Sequence, residues 1–495
     1  MSAHEEEGEF RKKLISGAKW TAVLRMASQM LSWLTTLVVV RFLTPEDYGL
    51  NAMLSMPIDM LLLFTTLGAE VALIQRKQIS KEEIASVFGV LLLLNGVFFL
   101  IVFLGAAPIA AYFHDPRLVL LIQVASVVFL LSPFRSIPNA LLDRALEFKL
   151  RAQVDMVAMV ISALLSLALA IAGAGVWALI VAFVANFALR SLILARLQPW
   201  LVRPTFHFAR VKHLFHYGGI MTLSSAVMVL TEKIVNVIAG PRLGATGLGY
   251  YSVASEFARL PMSKVMPIVQ QTMFPAYSKL QDKTAVAGEY LLKTLEISAL
   301  IMFPLLIGTA CVSLDFVVTV FGEKWIPVAL PLAWMAAVTP LRVITQVCYP
   351  ALNALGHANQ VLIVNLTLLL LLSLGMWLTL DYGLTGTVLS WVAVVPIGTI
   401  LTLRDVQKRI GVSPFQVFRA TAPASVSSLV MATPLVIANL FLPTDPGFIR
   451  LLIESLVAAG VYLLAMYVLF RHQFEEIRNH LSRKRAAPRT DTPAG

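Results

Sequence analysis

IASVFGVLLLLNGVFFLIVFLGAAPIAA runs from Ile84 to Ala111 without one charged side chain. A helix of 28 residues outspans the bilayer core, which needs only about 20 apolar residues. The run is too long for a strand, and a barrel would alternate apolar and polar residues in segments of about ten. In lipid only helices and closed barrels satisfy their own backbone, so this stretch reads as a transmembrane helix.

The same ruler finds thirteen more such runs. The full series is 14–40, 49–74, 84–111, 118–142, 154–172, 175–194, 214–239, 250–278, 290–321, 328–354, 360–380, 383–403, 418–442 and 448–470. Composition agrees: 58% of the 495 residues are hydrophobic and 14% are charged, where a soluble domain carries about 25% charge. Mean hydropathy is +0.79. A soluble chain of this length would split into domains joined by polar linkers. The fold class predicted is an all-α polytopic membrane protein of about 14 transmembrane helices.

The N-terminus does not read as a cleaved signal. Arg11, Lys12 and Lys13 precede the first run, but that run is too long, carries Arg25 and lacks a small-residue cleavage site. With the N-terminus placed in the cytoplasm, 28 of the 39 Lys+Arg fall on the cytoplasmic side and five (Arg41, Arg117, Arg242, Lys324, Arg450) on the other. The positive-inside rule therefore puts both termini in the cytoplasm. It also accounts for most of the net charge of +11 without nucleic acid. Cys311 and Cys348 both lie inside spans and read as small packing residues, not a disulfide.

Landmarks recur along the chain. Arg41-Phe-Leu…Tyr-Gly49 precedes span two, as Arg242-Leu-Gly…Leu-Gly249 precedes span eight. Leu73-Ile-Gln75 matches Lys279-Leu-Gln281, Phe113-His-Asp115 matches Phe321-Gly-Glu323, Asn139-Ala-Leu141 matches Asn353-Ala-Leu355, and Gly175 matches Gly383. The offsets are 201, 206, 208, 214 and 208. Such periodicity reads as a duplicated six-span unit. Six spans per unit make the repeats parallel, an arrangement in which transporters bind substrate between halves that rock. The expected organisation is a six-helix bundle over 1–194, a basic linker over 195–213, a second six-helix bundle over 214–404, two additional helices within 405–470, and a basic tail over 471–495. His213 and His216 in the linker read as an interfacial helix face, not a metal pair.

Six cations remain at membrane depth: Arg25, Arg135, Lys233, Arg259, Lys264 and Arg342. Acids at comparable depth include Asp59, Glu70, Glu232 and Glu256. A charge at the bilayer centre costs at least about 2.5–3.5 kcal/mol, so it faces a cavity or a partner. Arg135 and Glu70 also fit simple snorkelling, and Glu256 with Arg259 fits a structural i,i+3 pair. The mid-depth set has more cations than acids. A cationic cavity built from Arg25, Arg259, Lys264 and Arg342 suits a cargo bearing phosphate. Asp59, Glu232 and Glu256 are candidates for ion coupling, although salt-bridge partnership explains them equally. Prolines 133 and 138 in span four, and 261, 267 and 275 in span eight, permit bending.

Catalytic and nucleotide-binding signatures are missing from the sequence: GxxxxGK[ST], HExxH, GxSxG and Cys-x-x-Cys. The reading is a non-enzyme that uses neither cofactor nor metal.

Six segments carry a family likeness: RFLTPEDYGL (Arg41 to Leu50), LGAEVALIQRK (Leu67 to Lys77), LGYYSVASEFARLP (Leu248 to Pro261), MFPAYSKLQDK (Met273 to Lys283), FGEKWIPVALPL (Phe321 to Leu332) and NALGHANQ (Asn353 to Gln360). With these the chain resembles the polysaccharide transporter family of the multidrug/oligosaccharidyl-lipid/polysaccharide exporter superfamily. It looks closest to the colanic-acid and xanthan repeat-unit exporters.

The resemblance implies a V-shaped pair of bundles working by alternating access in the bacterial inner membrane. The implied cargo is an undecaprenyl-diphosphate-linked oligosaccharide, with a polymerase and a chain-length regulator as partners. One position departs from the family. An Asp often stands about five residues before the Gly closing span seven, and here that position is Val235, with Glu232 one turn earlier. Three other readings compete. A drug/cation antiporter would want an acidic lining, a membrane glycosyltransferase or polymerase would want a long outer loop with acids, and a scaffold would tolerate loss of the buried cations.

Overall fold

The computed structural model describes residues 30–32, 34–66, 73, 79–197, 200, 202–206, 226–441 and 446–471. Among them every regular element is helical. Twelve long helices are α1 (Pro45–Leu62), α2 (Lys81–Phe113), α3 (Leu118–Arg144), α4 (Phe148–Ile171), α5 (Trp177–Leu197), α6 (Gly240–Ser278), α7 (Thr284–Cys311), α8 (Ala329–Ala354), α9 (Ala358–Thr379), α10 (Gly383–Ile410), α11 (Pro414–Phe441) and α12 (Phe448–Leu469). Residues 226–238 form a further helical segment ahead of α6. Most of the first span, the greater part of the linker and the basic tail lie outside the described residues.

Local sequence sets the helix ends. Thr44 and Asp47 form a capping box at the start of α1, with Pro45 in the first turn. Ser80 and Glu83 do the same for α2, and His114 ends that helix in the left-handed region. Nine helical stretches among the described residues are long and apolar enough to cross a membrane, one of them the run Ala358–Ile410 through α9 and α10. Neither α1 nor α6 is among the nine. Those two helices carry Asp59, Glu256, Arg259 and Lys264.

The chain divides into two compact units, residues 1–252 with 369–387, and residues 253–368 with 388–495. In the first unit α3 packs on α1, α2 and α5, and α4 packs on α5. The buried Asn95 amide donates to the Thr65 carbonyl (2.9 Å), tying α2 to the end of α1. Part of the linker is pinned here: Thr205 N–H donates to the Ala85 carbonyl at 3.0 Å, and Trp200 packs edge-on against Phe88.

A reciprocal contact joins α1 to the start of α6. A Cβ on Gly49 would stand 1.6 Å from the Ala245 carbonyl oxygen, and one on Gly249 would stand 1.7 Å from the Pro45 carbonyl oxygen. The two pairs differ by a constant 200 positions in sequence. Self-complementary contact of this kind is what two copies of one surface make about a two-fold axis. It places the glycines of the first repeated landmark face to face.

Polar ties join turns within each unit. The turns after spans one and three are joined by Arg117 to Glu46 (2.5 Å), and those after seven and eleven by Arg242 to Asp381 (3.4 Å). The span count puts all four turns on one side. Gln281 and Ala354, which follow spans eight and ten, meet through a 2.8 Å hydrogen bond.

In the second unit α7 packs on both α8 and α11, and α12 packs on α11. The core contains Leu291, Met302, Val347, Cys348 and Val406. Tyr462 of α12 donates to the Leu300 carbonyl of α7 at 2.9 Å. Span nine differs from the continuous 290–321 run expected. The helix stops at Cys311, and the chain continues through Ser313–Phe316, a π turn at Val317–Phe321 and a 3-10 turn at Glu323–Val328. Phe257, Phe316, Phe321 and Trp325 stack here, with ring centroids 4.7–6.3 Å apart. Hydropathy scores this aromatic cluster like helix interior, which is why the break is invisible to a span ruler.

Candidate functional site

In the first unit the acid on α1 has a partner. Lys233 Nζ stands 2.7 Å from Asp59 Oδ2, both side chains being about one-third exposed (28% and 35%). The ammonium also donates to Ser55 Oγ at 3.1 Å, one turn before Asp59. Asn236, three residues after Lys233, donates to the Ala52 carbonyl at 2.9 Å. One face of the 226–238 segment is thus stitched along α1 by a charge pair and an amide. Glu232, next to Lys233, is half-buried.

In the second unit α6 presents Glu256 exposed, with Arg259 and Lys264 half-buried. Arg259 Nε donates to the Ser255 carbonyl at 3.1 Å, which turns the guanidinium back along its own helix. Arg342 on α8 stacks over Trp391 of α10, its guanidinium carbon 5.0 Å from the ring centroid. Stacking uses the flat face of a guanidinium and not its N–H edge. One turn after Arg342, Gln346 accepts from Gln270 of α6 at 3.1 Å. The helices bearing Lys264 and Arg342 are thereby linked by a polar contact.

Thus Asp59 and Glu232 belong to one unit, and Glu256, Arg259, Lys264 and Arg342 to the other. Arg25 lies outside the described residues. Arg135, read as snorkelling or cavity-lining, packs its guanidinium over Phe187 at 4.6 Å. Among the described residues, no group of three His, Cys, Asp or Glu is placed to hold a metal.

The second unit also holds a cavity of about 450 Å³ lined by Ile344, Leu403, Val417, Thr399, Thr421 and neighbours. Its threonine hydroxyls bond to backbone carbonyls of their own helices, Val395 and Val417. The lining offers no cation, so a phosphate-bearing group is not served there.

Two contributors escaped the sequence reading. Lys233 was visible as a membrane-depth cation, but its pairing with Asp59 needs two distant segments to meet. Trp391 sits in an apolar run and gives no local signal. Beyond the membrane segments, Asp115 and Arg117 form a turn network with Glu46. The Arg117 hydrogen bond holds the Asp115 carboxyl below the usual carboxylate range against the opposing effect of burial.

The family model described as "Polysaccharide biosynthesis protein" matches residues 38–330. The chain belongs to this family. Among curated relatives, an uncharacterized membrane protein in the cps region of Klebsiella pneumoniae is 22% identical over 92% of this chain and 95% of its own length. Lipopolysaccharide biosynthesis protein WzxC of Escherichia coli is 30% identical over 64% of each chain. The solved structure of lipid II flippase MurJ in an inward closed conformation superposes with a TM-score of 0.73 at 14% identity, covering 92% of this chain and 99% of that one. The last likeness establishes the fold: a multi-span helical membrane protein of the MurJ type.

Proposed function

We propose that the protein is a flippase that moves undecaprenyl-diphosphate-linked oligosaccharide repeat units across the bacterial inner membrane for surface polysaccharide synthesis. Family membership and the names of WzxC and the MurJ flippase support this reading. The observation that carries it is the stacking of Arg342, a cation that the sequence puts at membrane depth, over Trp391. Charge at that depth is costly to keep, and a diphosphate is an anion that Arg and Lys recognise well.

In this reading Arg25, Arg259, Lys264 and Arg342 receive the diphosphate, the glycan occupies a wet cavity, and the prenyl chain stays in lipid. The two six-helix halves, 1–194 and 214–404, rock in alternating access around that site. Asp59, Glu232 and Glu256 are the acids assigned to ion coupling, Asp59 through its exchange with Lys233. Both termini face the cytoplasm, and a polymerase and a chain-length regulator receive the product. The drug/cation antiporter reading fits less well, because the buried charge surplus is positive.

Substituting Arg25 or Arg342 by Ala abolishes surface polysaccharide in the producing cell while the protein stays in the membrane. Normal polymer in both variants refutes the cationic site. Glu232→Gln and Glu256→Gln test coupling: transport indifferent to imposed proton and sodium gradients before and after substitution removes both acids from that role.

A further inference from the structure

Two acids of the second unit meet at a single arginine. Asp315 follows α7 in the short Ser313–Phe316 turn, and Glu454 sits in the second turn of α12. Their side chains are only 2% and 7% exposed. Both lie beside a single nitrogen: Arg450 Nε is 3.2 Å from Asp315 Oδ1 and 3.0 Å from Glu454 Oε1, and it donates its hydrogen bond to Glu454. A terminal nitrogen of that guanidinium donates to Asn439 of α11. Asn439 in turn donates to the Cys311 carbonyl at 3.1 Å.

Charge does not balance in this pocket. Two buried carboxylates face one guanidinium, and an uncompensated buried charge is expensive. Among the described residues the Cys311 thiol at the end of α7 also faces them, and it brings no positive charge. The charged residues of α7 (Glu289, Lys293, Glu296) and Arg419 of α11 stand at the far ends of those helices. Geometry adds a second argument. Glu454 Oε2 and Asp315 Oδ1 are both buried without a hydrogen-bond donor. Ionised carboxylates are acceptors only, so two of them beside one guanidinium nitrogen leave oxygens that a proton would satisfy.

We propose that Asp315 and Glu454 form a proton-binding site that holds one shared proton at neutral pH against Arg450, where α12 meets the end of α7. The dyad titrates as a unit, and its proton belongs to the pair. A metal cation fits less well, because the surrounding donors are few and the guanidinium already fills the approach between the two carboxylates. Loss of the proton leaves two like charges on one arginine and loosens α12 from the turn.

The test uses the full-length protein in lipid nanodiscs. Infrared difference spectra, titrated between about pH 5 and pH 9, should show a protonated-carboxyl band that persists to neutral pH and disappears in both Glu454→Gln and Asp315→Asn. Wild-type thermal stability should fall as pH rises through the dyad's titration, because the folded state binds the extra proton. Glu454→Gln should remove that dependence while keeping neutral-pH stability. Should the variants fail to fold, the wild-type titration alone decides. Absence of any protonated-carboxyl band above about pH 5.5, or a band that survives both substitutions, overturns the proposal.

Discussion

Replacing Gly249 by alanine probes the repeat at its closest approach. The added Cβ would stand 1.7 Å from the Pro45 carbonyl oxygen and 2.6 Å from its carbon, both rigid backbone atoms. Restoring ordinary contact requires α1 and the start of α6 to separate by about 1.5–2 Å, and overpacking of this kind costs about 1–3 kcal/mol. Helix propensity returns at most about 1 kcal/mol for Gly to Ala, so a net loss of about 1–2 kcal/mol is expected. Gly49→Ala meets the Ala245 carbonyl at 1.6 Å and should cost the same. Because either substitution opens one shared gap, the double variant should lose clearly less than the sum of the two. Gly96 on α2 is the control, since a Cβ added there would meet no atom within 4 Å; alanine at that position should stabilise by about 0.5–1 kcal/mol. Thermal or denaturant unfolding in nanodiscs reads all four variants. Additive losses, or no loss at Gly49 and Gly249, would refute a reciprocal crossing.

Other outcomes follow from single contacts. Asp59→Asn leaves Lys233 inside the membrane segment without its partner, and should cost about 1–2 kcal/mol, reduced from the buried-pair value by the partial exposure; the double variant Asp59→Asn/Lys233→Met should recover stability over the single one in the same unfolding assay. Trp391→Ala should release Arg342 and lower transport, whereas Trp391→Phe, which keeps a ring face, should retain most of it in a transport assay. Asp115 is held in its charged form by Arg117, so this pair stabilises the fold above the carboxylate's ordinary pKa and loses that effect as pH falls through the lowered value. The stability gap between the wild type and Arg117→Ala should therefore be constant near neutral pH and close below about pH 4.

The helical membrane fold was legible because apolar run length has one physical solution in lipid. Span edges followed where caps were written locally, as at Thr44 and Ser80. The break after Cys311 was not legible, since an aromatic cluster and a helix interior have the same hydropathy. The duplication rested on short landmarks. Gly49 and Gly249 show what one of them does: each must lack a side chain for the other's helix to approach. Individual membrane-depth charges were equally visible in sequence, but their partners were not. Lys233 and Asp59 lie far apart in sequence, and Trp391 is one apolar residue among many. Asp315, Arg450 and Glu454 escaped for a related reason. Each looked like a residue near a span end, and only packing shows two acids on one arginine nitrogen.

Arg342 and the other cations assigned to the site would recognise a lipid-linked glycan by its diphosphate. The most direct test of that recognition is transbilayer movement in proteoliposomes of a fluorescent oligosaccharide on undecaprenyl diphosphate, beside the same glycan on a neutral prenyl ether. Movement of the diphosphate carrier alone is expected, with rates cut at least about tenfold by Arg342→Ala, the loss of about 1.4 kcal/mol expected from one charge-assisted phosphate contact. Equal movement of the neutral carrier, or an Arg342→Ala variant as fast as the wild type, would contradict it.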